Sequence, residues 1–272
     1  MTTVDTPLLP PGPVTDALAD LAATAVGQGH RDEPVLPRTG GPAGNARLTA
    51  WTGLVLLVGF AVEGVTLIAM HQLISVHILV GALLVPPVLL KTATTGWRIV
   101  RYYLNSRPYT QSGPPPLVLR VLGPLVIGLT LGALASGLWL VVTGPDGRRT
   151  TVDVLGVGIS WLTVHQAFVI GWFAVTTVHV LGRTVPALRT VTNGRFALRG
   201  VPDVTERLTG TPGTTAHTDR GTPRAAGGAL RATAVVLAVA IGVGGGVVVL
   251  GAATDWTSGW AHSSSGVAGD DH

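Results

Sequence analysis

Apolar residues fall in five blocks along the chain, at about 51–70, 73–90, 118–142, 159–181 and 232–253. Polar, basic or Pro/Gly-rich stretches separate them. Each block holds roughly 18 or more residues with few charges, the length a helix needs to cross a bilayer core of about 30 Å. None alternates with a period of two, and only helices and closed barrels satisfy their backbone groups in lipid. The pattern predicts an all-α integral membrane protein, with a four-helix transmembrane bundle over 47–185 and a fifth, C-terminal transmembrane helix over 231–254. The fifth block is rich in glycine (Gly242, Gly244, Gly245, Gly246) and is also compatible with a flexible apolar tail. Residues 1–46 read as a disordered cytoplasmic segment, although 13–27 has the composition of a short helix. Residues 186–230 read as a disordered cytoplasmic linker rich in Thr, Gly, Pro and Arg, and 255–272 as a polar extracytoplasmic tail. Pro86 and Pro87 are expected to kink the second helix or end its regular hydrogen bonding.

Composition agrees with this. Of 272 residues 47% are hydrophobic and only 12% charged, against about a quarter charged in a soluble domain. The chain has no cysteine, which excludes disulfides, thiolate metal sites, iron–sulfur clusters and cysteine nucleophiles. The net charge is +4, and Lys91 is the one lysine among 18 basic residues. The basic residues gather after the second block (Lys91, Arg98, Arg101, Arg107, Arg120) and after the fourth (Arg183, Arg189, Arg195, Arg199, Arg207, Arg220, Arg224, Arg231). Between the third and fourth lie only Arg148 and Arg149, offset by Asp146 and Asp153. Positive loops stay in the cytoplasm, so the N-terminus is expected inside and the C-terminus outside, in the plasma membrane of a bacterium. The same placement explains the basicity without nucleic acid, because the arginines flank membrane helices rather than form one basic surface. Trp51, Trp97, Trp139 and Trp161 lie near helix ends, as an interfacial aromatic belt requires.

Ionisable residues inside a membrane are costly and mark candidate sites. His165 and His179 are fourteen residues apart on one helix, which leaves them displaced by only ~40° around the axis and by ~21 Å along it. His77 and His165 lie at similar depth below the outer end of their helices. Two depth-matched imidazoles on facing helices suit axial ligation of a b-type haem; the bland alternative is that they are structural hydrogen-bonding groups between helices. His71, in the turn between the first two helices, reads as a turn or interface residue. Gly81 follows His77 by four and leaves room for a porphyrin edge. Gly128, Gly132 and Ser136 form a small-residue stripe that equally suits close helix packing. Glu63 is a candidate proton carrier for quinone chemistry, a partner for a haem ligand, or a neutral acid paired within the bundle. Lys91, Arg98 and Arg101 are expected to snorkel to the headgroups, with Lys91 and Arg98 as alternative contacts for a propionate or quinone headgroup.

Over residues 45–185 the chain resembles the cytochrome b561-like superfamily, especially the membrane cytochrome b subunits of formate dehydrogenase and nickel–iron hydrogenase. The resemblance rests on His165 and His179 at a spacing of fourteen and on His77 in the second helix. It implies a four-helix bundle with two b haems: His77 and His165 would hold the outer one, and His179 one side of the inner one. The family's other inner ligand lies in an Arg-x-x-His-Trp segment of the first helix. Here that segment reads Arg47-Leu48-Thr49-Ala50-Trp51, with Ala50 where the histidine would be. One haem is therefore expected, and a second would need His179 with a non-histidine or partner-supplied ligand. The stretch from His77 to Tyr103 also resembles small haem-binding membrane proteins of actinobacteria that associate with molybdopterin oxidoreductases. The implied role is electron transfer between the quinone pool and an extracytoplasmic redox partner such as a molybdopterin oxidoreductase, as a subunit rather than a self-contained enzyme. The Ala50 departure motivates the alternative of a non-redox scaffold or accessory subunit that kept the bundle without haem.

Overall fold

The computed structural model describes residues 8, 10, 12–28, 33–111, 117–149, 151–192, 195, 196, 198, 201–210 and 226–261. The described elements are α1 (Pro13–Ala25), α2 (Gly41–Ile68), α3 (Met70–Tyr103), α4 (Arg107–Thr110), α5 (Leu117–Thr143), a 3-10 turn (Pro145–Arg148), the strands β1 (Thr151–Val154) and β2 (Val157–Ser160), α6 (Trp161–Val191), α7 (Val204–Thr209), α8 (Gly228–Ala252) and α9 (Thr254–Ala261). Five helices are long and apolar enough to cross a membrane: α2, α3, α5, α6 and α8. They carry large apolar side chains on open surface, such as Ile68 (85% exposed), Ile170 (71%) and Val248 (72%), as expected where lipid rather than water is the solvent. The chain is thus a multi-pass, all-α membrane protein with one small hairpin.

The helices outrun the apolar blocks that announce them. The second helix neither ends nor loses its helical form at Pro86-Pro87 but continues to Tyr103. It stops in a turn with Asn105 at φ 53°, where Asn105 N–H reaches the Tyr102 carbonyl and Ser106 N–H the Arg101 carbonyl. This is the double closure that satisfies the last carbonyls of a helix. His71 lies in the first turn of α3 rather than in a connecting turn, because only Ala69 separates α2 from α3.

The chain divides into two compact units. The first comprises Met1–Leu54, Lys91–Val126 and Ala174–Ala232, and the second Val55–Leu90, Ile127–Phe173 and Thr233–His272. In the first, α2 and α3 meet through Asn45 Nδ2 on the Thr94 carbonyl (3.0 Å) and Lys91 Nζ on the Thr49 carbonyl (3.1 Å). In the second they meet through Leu56, Leu84 and Val88, with the Leu84 side chain lying over Gly59. The first unit also holds α1 against α7. Gln28 ties the two together by donating to the Pro202 carbonyl (2.8 Å) and accepting from Val204 N–H (3.0 Å). Segment 1–46 holds the short helix that its composition allowed, α1, and 186–230 contains ordered helix where lack of structure was expected. Asp203 explains the second case, since its carboxylate caps α7 by accepting from Thr205 and Glu206 N–H. Residues 211–225, within the expected linker, lie outside the described residues.

In the second unit α8 buries Ala238, Gly242 and Gly246, one face at a spacing of four. A Cβ on Gly242 would stand 2.2 Å from the Leu83 carbonyl oxygen, and one on Gly246 2.9 Å from that of Leu79. Two backbones approach this closely only through glycine. Leu83 is the carbonyl that Pro87, lacking an N–H, leaves without its helical donor. Helix α8 is therefore packed against α3 rather than a loose apolar tail. Beyond it, α9 places Trp256 (7% exposed) with Ile78, Leu140 and Ala253, and the indole N–H donates to the Leu140 carbonyl at 3.0 Å. The expected polar tail at 255–272 thus begins as a helix with a buried tryptophan; residues 262–272 lie outside the described residues. The loop from α5 to α6 holds β1 and β2, antiparallel with Thr151 opposite Ser160 and Val154 opposite Val157. Leu155 (φ 54°) and Gly156 (φ 82°) make its two-residue turn, the left-handed pair a tight hairpin requires.

Candidate functional site

The second unit brings together Glu63, Thr66, His77, Ser136 and His165. Thr66 sits in the last turn of α2 and hydrogen-bonds back to the Glu63 carbonyl (2.6 Å). Its hydroxyl donor is thereby used, so its oxygen accepts from His77 Nδ1 at 3.0 Å. Glu63 Oε1 lies 3.0 Å from the same nitrogen. On α5, Ser136 donates to the Gly132 carbonyl (2.7 Å) and accepts from His165 Nδ1 at 3.0 Å. The Ala133 carbonyl lies 3.1 Å from that nitrogen as well. A carbonyl only accepts, so Nδ1 of His165 carries the proton; the same holds for His77 facing a carboxylate. Neither Nε2 has a hydrogen-bond partner among the described residues, so each is available to ligate through its lone pair when the ring is neutral.

The ring centres of His77 and His165 are 6.4 Å apart, with planes at 79°. A centre-to-centre separation of 6.4 Å leaves room for one metal ion between the two rings. Anchored Nδ1 atoms and free Nε2 atoms are also the arrangement in which surrounding groups fix a histidine ligand. The residues present therefore fit a group ligated through two imidazoles. Two such ligands form a smaller set than a three-residue metal cluster, and among the described residues there is no cluster of three or more His, Asp and Glu of that kind.

Glycines shape the site. A Cβ on Gly137 would stand 3.1 Å from His165 Cε1, so its absence gives the ring room. Gly81 faces Glu63, whose Oε1 would lie 3.3 Å from an added Cβ; it makes room for the carboxylate. Gly132 receives the Phe168 ring, and Gly128 faces open space, so the stripe on α5 serves packing at Gly132 and hydrogen bonding at Ser136. Glu63 Oε2 is buried with no hydrogen-bond partner.

The remaining candidates lie in the first unit and do not form one cluster. Lys91 Nζ is not snorkelled away from the bundle but turned onto α2, at the Thr49 carbonyl and over Gly53. Gly53 leaves the space it uses. His179 has Lys91 and Arg183 within Coulombic reach, and its Nδ1 is buried without a partner. Arg98 is engaged elsewhere, by the Glu33 carboxylate. The Ala133 carbonyl has no sequence signal; of the two hydroxyl residues, Thr66 was not anticipated and Ser136 reads only as part of a small-residue stripe. Their one signal is a hydroxyl residue inside an apolar helix, which is too common in membrane helices to single out a position.

Compared with protein-family models, curated proteins and solved structures, the chain matches none. The functional reading rests on the chain's own residues.

Proposed function

We propose that this protein is a b-type membrane cytochrome of the cytochrome b561-like kind, which passes electrons between the quinone pool and a redox partner on the extracytoplasmic face. The observation that carries the reading is the His77–His165 pair, with ring centres 6.4 Å apart and both Nδ1 atoms held. His77 and His165 would hold the haem through Nε2. The haem, when bound, supplies one-electron chemistry at its iron. The chain supplies the rest. Glu63 and Thr66 fix the His77 ring, Ser136 and the Ala133 carbonyl fix that of His165, and the apolar helices exclude water from the surroundings. The basic residues after α3 and α6 favour a cytoplasmic N-terminus.

A reduced-minus-oxidised spectrum of the purified full chain from haem-replete cells tests this. A b-type α band is expected. His77→Ala and His165→Ala should each abolish it, whereas His71→Ala should leave it intact. A native chain without the band would overturn the proposal. The second reading, a haem-free scaffold or accessory subunit, is favoured by Ala50, and a colourless protein recovered in a stable complex would support it.

A further inference from the structure

The end of α3 carries a feature that the redox reading does not use. Arg101 lies near two neighbouring aromatic rings: its guanidinium carbon is 5.6 Å from the centre of Trp97 and 5.9 Å from that of Tyr109. Trp97 is one turn earlier on α3. Tyr109 is returned to the same place by the turn at Asn105 and the short helix α4. The rings are fastened to each other, the Trp97 indole N–H donating to the Tyr109 hydroxyl at 3.2 Å. Arg101 Nε is buried with no hydrogen-bond partner, and no carboxylate pairs with Arg101 among the described residues. Arg98, one turn away, is neutralised by Glu33. A guanidinium has five donors in a planar fork, and contact with aromatic rings uses none of them. Such a group is shaped for an anion with several oxygens.

Its place says which anion. Arg101 lies 31 residues after Met70, the first residue of α3, or ~46 Å along a helix. A bilayer with its headgroup layers measures about 40–45 Å. If α3 starts at one membrane surface, Arg101 therefore reaches the headgroup layer of the other. Around it Trp97, Val100, Tyr103 and Leu104 are 55%, 51%, 75% and 70% exposed, a surface suited to acyl chains and the interfacial region. We propose that Arg101, seated against Trp97 and Tyr109, binds the phosphate of an anionic phospholipid headgroup.

The test is native mass spectrometry of the full-length protein in detergent, titrated separately with phosphatidylglycerol, phosphatidylcholine and inorganic phosphate. Phosphatidylglycerol should bind in preference to phosphatidylcholine. Arg101→Ala should weaken that binding about tenfold, the order expected when a charge-assisted, hydrogen-bonded contact is lost. Arg101→Lys should recover only part of it, because an ammonium lacks the fork. Tyr109→Leu, which keeps the charge and removes one ring, should weaken it as well and serves if Arg101→Ala does not fold. Equal binding of both lipids by the native chain, unchanged phosphatidylglycerol binding in Arg101→Ala and Tyr109→Leu, or displacement by equimolar inorganic phosphate would each overturn the assignment.

Discussion

Two histidines decide the functional reading, and what surrounds each differs. His165 faces a hydroxyl and a backbone carbonyl, both neutral acceptors, whereas His77 faces a hydroxyl and the Glu63 carboxylate. A carboxylate on Nδ1 makes the opposite nitrogen a stronger donor to a metal and favours its higher oxidation state. Glu63→Gln keeps an acceptor at the same place but removes the charge. The expected outcome is a retained α band with the midpoint potential shifted upward in an equilibrium redox titration; an unchanged potential would mean that Glu63 does not act on the ligand. His77, His165 and Glu63 were legible in the sequence as ionisable residues at matched depth in apolar helices. The direction of each Nδ1 was not, because it depends on Thr66, Ser136 and a carbonyl brought in from other positions. Lys91 was misplaced for a related reason. A lysine near a helix end reads as snorkelling, and it is the missing side chain of Gly53 on the neighbouring helix that lets it turn inward.

The five long helices were legible because a bilayer demands an uninterrupted apolar block and few sequences supply one by accident. Their ends were not, since outside the core a helix continues through polar residues for as long as its backbone finds partners. Helix α9 and the hairpin escaped for the opposite reason: they are too short for periodicity to register, and Trp256 is a single anchor in a polar segment. The glycine-rich α8 carries the sharpest test at this scale. Gly242→Leu forces a side chain into the Leu83 carbonyl and should cost about 1–3 kcal/mol, the usual range for overpacking. Gly244→Leu faces open space and should be near neutral. Thermal unfolding of both variants in one detergent checks the contrast, and equal losses would show that α8 does not pack through Gly242.

For the whole molecule the first question is which way it faces. Leu155 at the hairpin tip and Thr209 at the end of α7 are separated by one membrane-crossing helix, α6. The chain contains no cysteine, so a single introduced thiol is an unambiguous label. Leu155→Cys should react with an impermeant maleimide added to intact cells, and Thr209→Cys only after lysis; the reverse would invert the orientation argued from the arginines. The single-residue link at Ala69 has a further consequence, for biogenesis. Helices α2 and α3 have no slack between them, so neither can settle in the bilayer while the other waits in water. They must enter as one hairpin, and the surfaces that later hold Glu63 against His77 meet at that step, before α5 and α6 deliver the second histidine.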